Sequence, residues 1–226
     1  MFVVLHSPYL SPIPRPSGAN LPRSKDRFTK IPLTTHRVHS IATIMRLLQK
    51  VIVSMNSHLG RRELLERLFS VLFIHEETLG QLRSEKTITY VSDLLAKGKL
   101  RLYPWSHSEE DEYLRLRSEI VVDPRIPSLE RPDMLCLIMA KRLNAILLSE
   151  NIGIHRVIEF HSKYSNVVVW TALETLENIV YKGFLNVHSA EDFLRYVREY
   201  EHDTSHIFKS NRLKQSLRRI ESWLRR

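Results

Sequence analysis

The reading of the fold turns on one stretch, Arg131-Pro132-Asp133-Met134-Leu135-Cys136-Leu137-Ile138-Met139-Ala140-Lys141-Arg142-Leu143, which runs through Asn144 into Ala145-Ile146-Leu147-Leu148-Ser149-Glu150-Asn151. The first thirteen residues are apolar around most of a helical circumference, which marks a buried helix. Asp133 falls in its first turn, where a carboxylate complements the helix dipole. Asn144 ends the helix, Ala145 to Leu148 reads as a strand rich in Ile and Leu, and Ser149-Glu150-Asn151 lies at that strand's carboxyl end.

Outward from this centre, strands and helices alternate. Lys50 to Ser54, Val71 to Ile74, Leu100 to Tyr103 and Val167 to Val169 read as short strands. Arg61 to Phe69, Glu76 to Arg83, Thr87 to Lys97, Ser108 to Glu119, Ile152 to His161, Thr171 to Lys182, Ser189 to Glu201 and a last segment from Asn211 read as helices. Such alternation predicts an α/β domain with a central parallel sheet of four to five strands. Residues 187–226 form a helical, basic C-terminal extension to a domain spanning 45–186. Residues 1–44 hold six of the ten prolines and show no period, so they read as a poorly ordered or extraneous extension, with Met45 as an alternative start.

Charge follows the same division. The chain of 226 residues carries +9, and its two ends hold that excess: residues 45 to 208 come to about −2. A basic tail on a near-neutral body can grip nucleic acid, and Lys209, Arg212, Lys214, Arg218 and Arg219 are the residues expected to do so; a solvated amphipathic helix is the plainer reading. Cys136 is the lone cysteine, which excludes an internal disulfide and a Cys-rich zinc site and suits a cytoplasmic setting. Apolar runs such as Asn166-Val167-Val168-Val169-Trp170 are too short to span a bilayer. Six scattered glycines leave no phosphate-binding loop. His202 and His206 stand four apart but lack a companion motif, so they read as solvated or structural.

In an open parallel sheet, functional groups gather at the carboxyl ends of strands. That selects Ser54-Met55-Asn56-Ser57, the helix after Val71 to Ile74, Asp133, and Ser149-Glu150-Asn151. Acids converging from such positions would hold a hard divalent cation and activate water against a phosphodiester. Considered separately, Asp133 could simply serve its helix dipole, Glu150 could be a solvated loop acid, and Asn56 and Asn151 could be turn residues.

The order of parts resembles the PIN-domain superfamily, in its branch of prokaryotic toxin-type ribonucleases. The resemblance rests on Val51-Ile52-Val53-Ser54-Met55-Asn56-Ser57-His58-Leu59, Leu64-Leu65-Glu66-Arg67-Leu68-Phe69, Val71-Leu72-Phe73-Ile74-His75 and Thr78-Leu79-Gly80-Gln81-Leu82. Asp133 through Ala140, Ile146-Leu147-Leu148-Ser149-Glu150-Asn151, and Trp170 through Leu185 complete it. It implies a three-layer PIN-like domain, a metal-dependent endoribonuclease (a hydrolase) using Mg²⁺ or Mn²⁺, catalytic Asp133 and Glu150, and metal ligands among Asp133, Glu150, Asn151 and Asn56. It also implies RNA as substrate, with an antitoxin-like protein or a second copy as partner. The departures are specific. Ser54 or Met55 stands where the first acid is expected, Gln81 where a glutamate is, and Asn151 where another acid is. A site so depleted of carboxylates implies weak or absent catalysis, and the alternative is a non-catalytic module that binds nucleic acid or protein.

Overall fold

A computed structural model describes residues 2–5, 63–83, 85–204 and 206–226. The elements are β1 (Phe2–Leu5), α1 (Glu63–Leu68), β2 (Val71–Ile74), α2 (Glu76–Leu79), α3 (Glu85–Ala96), β3 (Leu100–Leu102), α4 (His107–Val121), α5 (Arg131–Leu143), β4 (Ile146–Leu148), α6 (Ile152–Phe160), β5 (Val168–Trp170), α7 (Ala172–Tyr181), α8 (Ala190–Thr204) and α9 (Ser210–Leu224). From Glu63 onward most elements fall close to where periodicity puts them, although the helix expected over Glu76 to Arg83 ends at Leu79. Their assembly does not follow the expectation.

The described residues are mostly helical, 62% of them. Among the described residues, parallel pairing is confined to two two-stranded units, β2 with β3 and β4 with β5. Between these pairs lies β1, antiparallel to both, with Val3 opposite Phe73 on one side and Leu147 on the other. The expected central parallel sheet of four to five strands, and the three-layer PIN-like domain built on it, are therefore not what forms. The strand expected at Lys50 to Ser54 lies outside the described residues. Phe2-Val3-Val4-Leu5, in a stretch expected to contribute little, supplies the strand between β2 and β4 instead. Its continuous apolar run, two valines between Phe2 and Leu5, suits a strand with neighbours on both edges, and an antiparallel pairing needs no crossover helix.

The helix that opened the sequence reading is central. From Pro132 to Met139 every residue of α5 is buried, and Ala140 follows. Asn144 adopts the left-handed conformation (φ 47°), which lets its backbone N–H close on the carbonyls of Ala140 and Lys141 and turns the chain into β4. All three residues of β4 are buried, as a strand covered on both faces requires. α5 packs against β1, β4 and α4. One apolar cluster runs from Leu64 to Ile220, and Phe193, Val197, Tyr200, Phe208 and Ile220 belong to it, so α8 and α9 share the core. Among the described residues, no helix is long and apolar enough to cross a membrane.

Candidate functional site

The residues singled out at the carboxyl end of β4 are organised by hydrogen bonds. The ladder continues one step past β4, where Ser149 N donates to the Trp170 carbonyl at 2.9 Å. The buried Ser149 Oγ accepts from Asn151 N, and Asn151 caps α6, its Oδ1 accepting from Gly153 N at 2.8 Å. A β-carbon on Gly153 would lie 2.5 Å from a methyl of Leu129 and 3.1 Å from Asn151 Oδ1, so the bare backbone is what admits this close approach. The other end of the Asn151 amide donates from Nδ2 to Asp133 Oδ2 at 2.6 Å. The structure thus brings Asp133 and Asn151 together. Asp133 is 1% exposed, and burial pushes its carboxyl up to about 6 while the Asn151 amide pulls the other way.

Glu150, one residue away, serves a different helix. Its Oε1 accepts from Ala172 N at 2.7 Å, in the first turn of α7, and its Oε2 lies 3.9 Å from Nε2 of His206. Burial pushes this carboxyl up to about 7; the Ala172 N–H and Arg212 oppose the shift and Glu174 adds to it. Burial likewise lowers the imidazole pKa of His206 and of His155, which faces the same Arg212 and Glu174.

The start of α7 is a reciprocal cap. Thr171 N donates to Glu174 Oε2 at 2.9 Å, and the Thr171 hydroxyl donates to the same oxygen. From α9, Nη2 of Arg212 donates to Thr171 Oγ1 at 3.2 Å and to Glu174 Oε1 at 3.1 Å. Burial alone would raise Glu174, but the Thr171 hydroxyl and Arg212 outweigh it and hold the carboxylate below its ordinary value. A guanidinium is therefore the resident counter-charge of this edge.

The carboxyl end of β2 is held separately. The buried His75 caps α2, its Nδ1 accepting from Glu77 N at 3.1 Å, and its ring meets Trp105 edge-on at 4.9 Å. Arg131 donates to Glu77 and, through both terminal nitrogens, to Glu110. Gln81 carries a buried Oε1 without a partner among the described residues.

Asn151 has one oxygen able to ligate, and it is bonded to Gly153 N; what it turns toward Asp133 is an N–H donor. Glu150 is committed to Ala172 and lies beside His206. Asn56 lies outside the described residues. Among the described residues no group of three His, Cys, Asp or Glu side chains could hold a metal. The donor set present does not suit Mg²⁺ or Mn²⁺, which want several oxygens facing one point.

Helix α9 carries four of the five basic residues expected to meet nucleic acid, with Lys209 at its N-cap, and it sorts them. Its inner seam is Leu213, Ser216, Leu217, Ile220, Trp223 and Leu224, all buried or half-buried. Arg212 is bound to Thr171 and Glu174, and Arg219 grips Glu177 with two bonds, Nε to Oε2 at 2.8 Å and Nη2 to Oε1 at 2.6 Å. Tyr181 meets Trp223 further along. These pairs advance in the same direction on both helices, so α7 and α9 run parallel. Lys209, Lys214 and Arg218 are exposed and enter none of the ion pairs of the described residues. Sequence reasoning missed Thr171, Glu174, Glu177 and His206 as organisers. The Thr-x-x-Glu spacing of a reciprocal cap was the available signal for the first two.

No protein-family model, curated protein or solved structure matches this chain.

Proposed function

We propose that the protein is a non-catalytic RNA-binding module whose contact surface is the outer face of α9. The observation that carries this reading is the division of labour among the arginines: Arg212 and Arg219 are spent on Glu174 and Glu177, which fixes the helix to the body and turns Lys214 and Arg218 outward. Exposed cations on a rigid support attract phosphates and release counterions on binding. What speaks against catalysis is the use of the carboxylates. Asp133 accepts from an amide and Glu150 from a backbone N–H of a different helix, and among the described residues no group of three ligating side chains gathers around either. Kinship with PIN-type nucleases is proposed on a narrower basis, the meeting of Asp133 with Asn151 beside a strand end.

The test is direct. Incubation with RNA in excess Mg²⁺ or Mn²⁺ is expected to give no cleavage above that of the Asp133→Asn variant, and Mn²⁺ is expected to leave the melting temperature unchanged. Fluorescence anisotropy is expected to show RNA binding that weakens steeply with salt. Ion-dependent cleavage lost in Asp133→Asn would overturn the non-catalytic reading.

A further inference from the structure

The positions of the cations on α9 say which form of nucleic acid the surface suits. At 100° per residue, Lys214 and Arg218, with Arg225 at the cap just past the helix, fall within a narrow arc that the exposed Glu221 borders, and all three cations are exposed. Arg212 and Arg219 form a second row on one flank. Between the rows runs an uncharged strip of Asn211, Gln215 and Ser222. Two free rows on opposite sides of a polar strip would meet the two phosphate backbones that border a groove. Here the charge of the second row is neutralised, because Arg212 is paired with Glu174 and Arg219 with Glu177. One row remains.

We infer that the outer row of α9 is a track for a single polynucleotide strand, gripped along its phosphates. Lys214 and Arg218 are separated by about 6 Å along the axis, and Arg218 and Arg225 by about 10.5 Å. The row therefore follows one backbone lengthwise. A duplex would offer its second backbone to side chains already bonded elsewhere, and the A-form major groove is too narrow for side chains to read. This inference rests on the RNA-binding role proposed above and specifies its substrate class.

The experiment uses the full chain and four labelled probes of equal length: an oligouridylate, an oligothymidylate, an RNA duplex and a DNA duplex. Affinity is measured by anisotropy across a salt series for the unaltered protein and for the double variant Lys214→Gln/Arg218→Gln. Circular dichroism melts check that the exposed substitutions leave folding intact, and Arg117→Gln, an exposed arginine on α4, is the control. Losing two phosphate contacts reduces the salt slope by about 1.4 on a single strand. That reduction is expected on both single-stranded probes, with a smaller one on the duplexes and none in the control. Because the comparison is between variants, the basic residues of 1–44 cancel. An equal or larger reduction on the duplexes overturns the single-strand track and leaves the binding role standing. A slope unchanged on every probe overturns the track on α9. Absence of binding to all four probes overturns the binding role itself.

Discussion

Arg219→Ala is the substitution whose cost follows most directly from the structure. Glu177 has 4% of its side chain exposed, and two of its bonds come from Arg219; the hydroxyl of Tyr181 at 3.3 Å is what remains. Breaking a fully buried pair costs about 3–5 kcal/mol, because the surviving charge is left without compensation. The Arg219 side chain is 44% exposed, so water reaches the pair and the figure must be discounted to about 2 kcal/mol. For a chain of this length that corresponds to a fall in melting temperature of about 4–8 °C. Thermal or urea denaturation of Arg219→Ala beside Arg218→Ala measures it, since Arg218 is the adjacent exposed residue outside the ion pairs. The double variant Glu177→Leu/Arg219→Leu is expected to recover most of the loss, because it leaves no orphaned charge. A shift below 1 °C in Arg219→Ala, or an equal fall in Arg218→Ala, would refute the claim that this pair fixes the helix.

Three further outcomes are expected. Ser216 is fully buried in the α9 seam and its hydroxyl has no partner among the described residues, so Ser216→Ala is expected to stabilise the protein by about 0.5–1 kcal/mol, measured by urea titration. Asp133 and Glu150 hold protons in the folded state, up to about pH 6 and 7, that they release at lower pH when unfolded. Their contribution is thus fully present below the ordinary values of 3.8 and 4.5 and is lost as pH rises through about 6 and 7; melting curves between pH 3 and 8 should flatten at the lower end in Asp133→Asn and at the upper end in Glu150→Gln, and curves parallel to the unaltered protein would contradict the burial argument. Arg212→Ala, whose partner Glu174 has 28% of its side chain exposed against 4% for Glu177, is expected to cost less than Arg219→Ala, about 1 kcal/mol or below in the same denaturation assay.

What could be read from the chain was local. The apolar circumference of Arg131 to Leu143 announced α5, the stop at Asn144 was visible, and the run Ile146-Leu147-Leu148 gave β4. Strand sense and order were not legible, because two short apolar segments, Phe2-Val3-Val4-Leu5 and Val51-Ile52-Val53, offer near-identical patterns for one place. Periodicity carries no information about which pairs with β2 and β4. The site shows the same limit. Glu150 looks like a loop acid until Ala172, 22 residues on, is seen donating to it, and Arg212 looks like a ligand-facing cation until Glu174, 38 residues back, claims it. Charge in a sequence has sign and position but no direction.

The two arginine clasps also have a mechanical meaning. Their anchor points are about 10.5 Å apart on α9 and about 4.5 Å apart on α7, so the guanidinium arms converge like struts of a truss. Sliding α9 either way would lengthen one strut as it shortened the other, and the axial register is locked. A load applied to the outer lysine and arginine is then borne at Thr171 and Glu177, and from Thr171 it is passed on to the turn where Ala172 meets Glu150.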